Sequence, residues 1–246
     1  MVYSIDFDQF IHTHIDSGAD ITLLYHAVDN AKEAYLTCNV LDLNRQKGVQ
    51  AIEANHGNKK NQNIYMDTCI MKTELFISLV KEAKKLSSMY TLTDVINDKC
   101  ETLDIRGVAH KGFFASVTDF PSYYKANMDL LNYKAAQELF HEDWPIYTRT
   151  NDSCPTQYFD SAEVKNSVIS NGCQIEGTVE NSVIGRGCII KKGAVVRNSV
   201  VLAEATVGEG VHVENEVVDK WAKLVHKKEI VSPTEQPGYI RRNDTL

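Results

Sequence analysis

The 246-residue chain carries eight histidines, six cysteines and 33 carboxylates, and their spacing narrows what they could do. The cysteines (Cys38, Cys69, Cys100, Cys154, Cys173, Cys188) include no CxxC pair, and no His/Cys/Asp cluster has metal-ligand spacing. No nucleophile with a local base stands out either. His212 and His226 are the candidate general bases of the C-terminal third. With no extended loop or partner acid read around them, both are expected as exposed corner or flank residues. Lys220, Lys223, Lys227, Lys228, Arg241 and Arg242 could hold an anionic effector such as a sugar bisphosphate, but a solvated basic face explains them as well.

Whatever these residues do, a repeated element positions many of them. The segment Val-x-Asn-Ser/Glu-Val-Ile/Val recurs from Val164, Val179, Val196 and Val213, at spacings of 15, 17 and 17 residues. Within it runs a six-residue beat, Ile184, Ile190, Val196, then Val207 and Val213 after one slip. One aliphatic per six residues fits neither an amphipathic helix nor an alternating strand. It marks a parallel β-helix, whose coils bury their aliphatics only by stacking. Gly187 and Gly193 would supply corner backbone angles that a Cβ resists. Asn166, Asn181, Asn198 and Asn215 would stack as a ladder bonded to corner backbone groups. Cys173 and Cys188 occupy equivalent repeat positions and are expected as small buried thiols one coil apart, with a disulfide as the alternative.

Composition sets outer limits. The content is 43% hydrophobic, enough for sizeable cores in one or two domains. Net charge is -7 and no long basic block occurs, which argues against nucleic acid as a partner. No apolar run is long enough for a membrane span, and Met1 to Asp8 lacks the character of a secretion signal. A reducing cytoplasm is the expected compartment.

The first half reads as α/β. Asp6 with Gln9 starts a helix with Phe10, Ile11 and Ile15 as its apolar stripe, ended by Gly18. Strands are expected at Ile21 to Tyr25 and Tyr35 to Leu41, with a loop from Asn55 to Asn63. Thr73 would cap a helix with the apolar face Leu75, Phe76, Leu79, Val80, Ala83 and Leu86. Pro121 suits the first turn of a helix running to about Asn132. Trp221, Leu224, Val225 and Ile230 would form a cap on the β-helix. The expected partition is 1–140 for the α/β part, 141–156 as linker, and 157–246 for the β-helix with its cap.

Particular residues carry a resemblance. Tyr123, Ala126-Asn127-Met128-Asp129-Leu130, Trp144-Pro145-Ile146-Tyr147-Thr148, Pro155 and Phe159, leading into hexapeptide repeats, resemble the ADP-glucose pyrophosphorylase family. Val2-Tyr3, Asp6 and Gly18-Ala19-Asp20-Ile21-Thr22 are similar to the middle of its nucleotidyltransferase domain. The resemblance implies a partial nucleotidyltransferase-like α/β domain, a left-handed β-helix, a tetramer and a role in glycogen synthesis. The family reaction joins glucose 1-phosphate and ATP into ADP-glucose and pyrophosphate. Nothing matches the family's glycine-rich nucleotide loop, and its first metal-binding aspartate would precede Met1. A fragment, or a start codon assigned too late, is the expectation.

Two departures bear on activity. The family's Glu-Lys-Pro is read here as Ala54-Asn55-His56, so a neutral amide replaces the lysine that grips sugar phosphate. Its Trp-Arg-Asp-Val-Gly-Thr is read as Phe114 to Asp119, which puts Ser116 at the second metal ligand. If that register slips, the acid would be Asp119 or Asp104. A Ser-Met-Gly contact to the sugar becomes Tyr65-Met66-Asp67, and Glu53 is either a sugar contact or, preferably, a strand-end surface carboxylate. Nucleotidyl transfer depends on cations at the phosphate oxygens, so these changes imply a regulatory, catalytically impaired subunit. Glu53, Ala54, Asn55, Asp67 and Ser116 are then a degenerate pocket, with no cofactor for this chain and magnesium left to a catalytic partner. The resemblance implies that this partner is a pyrophosphorylase subunit in a hetero-oligomer, a tetramer, or the chain itself. The alternatives are a weakly active adenylyltransferase when full length and, behind it, a coenzyme A-dependent hexapeptide acyltransferase using His212.

Overall fold

The computed structural model describes residues 1–148 and 152–246, so part of the expected linker, 149–151, lies outside the described residues. Two compact units result, one of Met1–Thr118 with Glu142–Trp144, the other of Asp119–His141 with Pro145–Leu246. The sequence-based partition followed the onset of the repeats. Compactness instead groups the two helices after Thr118 with the repeats.

The first unit is built on one sheet. Helix α1 (Phe7–Ser17) starts where the Asp6 carboxylate accepts from the Gln9 N–H and ends at Gly18, in the left-handed region at φ 65°. It is followed by β1 (Ile21–Val28), β2 (Asn39–Leu43), β3 (Val49–Ala54), β4 (Gln62–Met71), α2 (Thr73–Leu86), α3 (Leu92–Asp98) and β5 (Ile105–Ala109). The strand order is β3-β2-β4-β1-β5, with β1 antiparallel to β4 and parallel to β5. One face buries Leu23, Tyr25 and Ile105 under Leu79 and Ala83 of α2 and Val95 and Ile96 of α3. The other packs Leu24, Val40, Ile64 and Met66 against Phe10 and Phe114.

Several expectations change here. Only Phe10 of the α1 stripe is buried, while Ile11 and Ile15 are exposed. On α2 the buried row is Leu79 and Ala83, and Phe76, Val80 and Leu86 face solvent. Lys72, not Thr73, is the α2 N-cap, and no side chain closes that end. Tyr35 to Cys38 is not strand: Tyr35 and Thr37 sit at φ 58° and 69°, so the chain turns before β2 begins.

In the second unit, α4 (Phe120–Asp129) carries Pro121 in its first turn and a reciprocal cap between Asp119 and Ser122. Helix α5 (Tyr133–Leu139) follows from an Asn132 cap. The rest is a parallel β-helix of three five-stranded sheets. Ile175, Ile190, Val207 and Leu224 stack on one inner wall, Val179, Val196 and Val213 on the second, and Ile184, Val201 and Val218 on the third, all fully buried. Each such side chain contributes about 1.5–3 kcal/mol of hydrophobic stabilisation.

Gly187 and Gly193 take the expected corner conformation, at φ 66° and 72°, and asparagines occupy further corners. Asn166, Asn181, Asn198 and Asn215 themselves take φ of 43–56°, the conformation asparagine tolerates best among side-chain-bearing residues. Asn166 donates to Asn181 Oδ1 at 2.8 Å, and Asn215 donates to the Ser232 carbonyl at 2.8 Å. Beside them runs a serine ladder: the N–H groups of Ser182, Ser199 and Glu216 each donate at 3.1 Å to the serine hydroxyl one coil earlier. Cys173 and Cys188 are free, buried and one coil apart, and their thiols donate to the carbonyls of Gly185 and Leu202. Contact with Cys173, together with burial, pushes the Cys188 thiol up.

The expected cap is replaced by more coil. Lys223–Leu224, Glu229–Val231 and Gly238–Ile240 pair in register with the strands before them. Leu224 and Ile230 continue the core, whereas Trp221 and Val225 are exposed.

Candidate functional site

Of the positions read from the sequence as a degenerate pocket, Glu53, Ala54, Asn55 and Ser116 fall around the end of β3, the turn before β2 and the segment after β5. Glu53 and Ala54 are exposed at the end of β3, Glu53 opposite Val40. Asn55 turns inward and is only 2% exposed. Its Nδ2 donates to the carbonyls of Ala31 at 2.9 Å and Tyr35 at 3.0 Å, and its Oδ1 accepts from the Gly57 N–H at 3.0 Å. The main chain adds bonds from Asn55 N–H to the Cys38 carbonyl and from Thr37 N–H to the Asn55 carbonyl. Asn55 therefore pins the strained turn of Tyr35 and Thr37. A lysine ammonium has no acceptor to offer the Gly57 N–H, so the amide is not a shortened stand-in for a cation.

Ser116 is buried, its Oγ 3.3 Å from Cys38 Sγ, behind the two backbone bonds that join Val2 to Ala115. Cys38 thus links these two residues, touching Ser116 with its thiol and Asn55 with its carbonyl. The alternative acids are engaged elsewhere. Asp119 caps α4, and its bond from the Ser122 N–H keeps its carboxyl low. Asp104 is paired with Arg106 at 2.6 Å, which lowers its carboxyl likewise. A buried hydroxyl facing a thiol supplies none of the carboxylate charge by which proteins usually hold magnesium. Asp67 sits at φ 51° in β4, beside the break in register with β1. Partial burial holds its carboxyl up, opposed by the Met1 ammonium.

Sequence reasoning missed what lies beside these residues. The Nδ1 atoms of His26 and His110 are 3.2 Å apart, and His110 Nε2 is 2.9 Å from the Ser4 carbonyl. The His26 ring stacks on Phe114 at 4.9 Å, and Phe114 stacks on Tyr35 at 5.7 Å. Burial, and then the neighbouring His110, lower the His26 pKa. These rings come from three separate segments, β1, the turn before β2 and the stretch after β5, so no local pattern announces them.

In the β-helix unit His212 does have an acid partner, with Nε2 3.1 Å from Glu214 Oε2. The two are alternate residues of one strand and share its outer face. His226 is exposed, as are the lysines and arginines of the basic group, with Arg242 4.2 Å over the Trp221 ring. Among the described residues, no group of three or more His, Cys, Asp or Glu converges to hold a metal, and no helix is long and apolar enough to cross a membrane.

A sheet unit of α/β type followed by hexapeptide coils defines the class. Residues 155–236 match the GlmU-like C-terminal hexapeptide family. The chain is homologous to proteins of the glucose-1-phosphate adenylyltransferase, or ADP-glucose pyrophosphorylase, family over most of its length. It is 29% identical over 221 residues to the glucose-1-phosphate adenylyltransferase of Fervidobacterium nodosum, covering 88% of this chain and 52% of that protein. It is 27% identical over 234 residues to the glycogen biosynthesis protein GlgD of Bacillus subtilis, covering 93% and 66%. Against GlgD of Geobacillus stearothermophilus it is 32% identical over 195 residues, covering 79% and 46%. The chain thus spans about half to two-thirds of the length of these relatives.

Proposed function

We propose that this chain acts in glycogen biosynthesis as a regulatory, catalytically impaired subunit of ADP-glucose pyrophosphorylase. The observation that carries this reading is Asn55: at the position read as the family's phosphate-gripping lysine, a neutral amide spends its hydrogen bonds on its own loop. Ser116 supports it, being neutral, buried and bonded to Cys38. Two relatives named glycogen biosynthesis protein GlgD support the glycogen part of this reading.

The chain would work by association with a catalytic subunit in a hetero-oligomer, biasing that subunit's active conformation by a coupling of about 1–3 kcal/mol. Magnesium and nucleotide chemistry stay with the partner. The test is to purify this chain alone and together with a glucose-1-phosphate adenylyltransferase chain of the same organism. Each preparation is then assayed with ATP, glucose 1-phosphate and magnesium. We expect no ADP-glucose from the chain alone, co-migration of the two chains, and altered rate or effector response in the complex. Turnover by the chain alone would support the weakly active enzyme, and failure to associate would remove the regulatory role.

A further inference from the structure

An open cleft of about 610 Å³ adjoins the outer end of β1 and the loop after it, lined by His26, Asp29, Asn30, Tyr35 and Asn61 among others. The volume falls in the range that takes a small molecule. The hydrogen-bonding state of His26 can be deduced. The Ser4 carbonyl can only accept, so His110 carries its proton on Nε2 and, when neutral, a lone pair on Nδ1. The short contact between the Nδ1 atoms then requires His26 to donate from Nδ1. Neutral His26 keeps its free lone pair on Nε2, on the ring edge turned away from His110. Stacking on Phe114 fixes the ring plane.

The wall therefore offers an imidazole acceptor, the Asp29 carboxylate, the two carboxamides of Asn30 and Asn61, and the Tyr35 ring. Among the described residues, no lysine or arginine lines the cleft. Acceptors and amides without a cation suit many hydroxyl donors and repel anions. We propose that this cleft binds an uncharged, hydroxyl-rich ligand, a carbohydrate without phosphate. The proposal does not rest on the subunit role, since it concerns what this chain holds by itself.

The test titrates the whole chain at pH 7.5 with glucose, maltotriose, glucose 1-phosphate and inorganic phosphate. Affinity is read by calorimetry and the His26 imidazole is followed by NMR. We expect saturable binding of a neutral sugar with a shifted His26 signal, and no tighter binding of either phosphate compound. Affinity should fall at least tenfold in His26→Phe, which keeps the stacked ring but loses Nε2, and in Asp29→Asn. It should also fall as pH drops and Nε2 becomes a donor. Melting curves show whether each variant folds; if His26→Phe does not, the surface change Asp29→Asn decides. Absence of sugar binding, preference for either phosphate compound, or unchanged affinity in the folded variants overturns the proposal.

Discussion

Asn55 shows how a substitution that abolishes one role can install another. Its amide holds a turn together, so Asn55→Ala should lower stability by about 2–3 kcal/mol, as unpaired buried groups do. Urea unfolding followed in the first unit checks this. Restoring the cation in Asn55→Lys should likewise destabilise and yield no turnover, since Ser116 still offers no carboxylate. A second residue carries a pH effect. Glu216 is buried at the end of the serine ladder, bonded to Ser232 at 2.5 Å, and burial raises its carboxyl above the ordinary range. A folded state that holds this proton more tightly than the unfolded chain is favoured at low pH. That advantage is lost as pH rises from the unfolded carboxyl value through the folded one. Glu216→Gln should flatten the pH dependence of the melting temperature above the ordinary carboxyl range and raise that temperature at neutrality. A steeper profile in the variant would contradict the sign.

At the scale of elements, the coils put sharp limits on their small residues. A Cβ at Gly177 would overlap the Ala194 carbonyl oxygen of the next coil, whereas at Gly210 nothing lies within 4 Å. Gly177→Ala should therefore cost about 1–3 kcal/mol or more through overpacking. Gly210→Ala should cost about 1 kcal/mol, from its φ of 65° alone. Asn198→Gly should be nearly neutral while Asn198→Val is strongly destabilising, because the β-branched side chain resists positive φ. Thermal unfolding of these variants orders them. The coils were the most legible part of the chain, since Val164, Val179, Val196 and Val213 each land in equivalent inward or stacked places. Helix starts at Asp6 and Asp119 were legible or nearly so for a similar reason: a cap is a local bond. The apolar stripes misled because period tells which residues share a face, not whether anything covers it, and Ile11, Ile15 and Phe76 remain exposed. Tyr35 was mistaken for strand because its turn is held by Asn55, which lies 20 residues on. The histidine pair could not be read at all, since 84 residues separate its members.

For the whole molecule, the division at Thr118 makes its own prediction. Tyr124 of α4 donates to the Asn198 carbonyl at 2.5 Å, and Phe120 meets Tyr239 edge-on at 5.8 Å, so α4 is tied to the coils. Limited proteolysis should give a resistant core that retains α4, with its N-terminus near Asp119. A core that begins only after Thr156 would place the boundary at the onset of the repeats. Tyr124→Phe should loosen α4 and shorten the fragment.

The corner asparagines also bear on chemical ageing. Three of the four are followed by serine, a sequence in which the next amide nitrogen readily attacks the side chain, closes a succinimide ring and expels ammonia. After Asn181 and Asn198 that serine nitrogen is already committed to a hydroxyl of the neighbouring coil. Folded protein should keep these amides intact, and isoaspartate at those sites would record molecules that had once come apart.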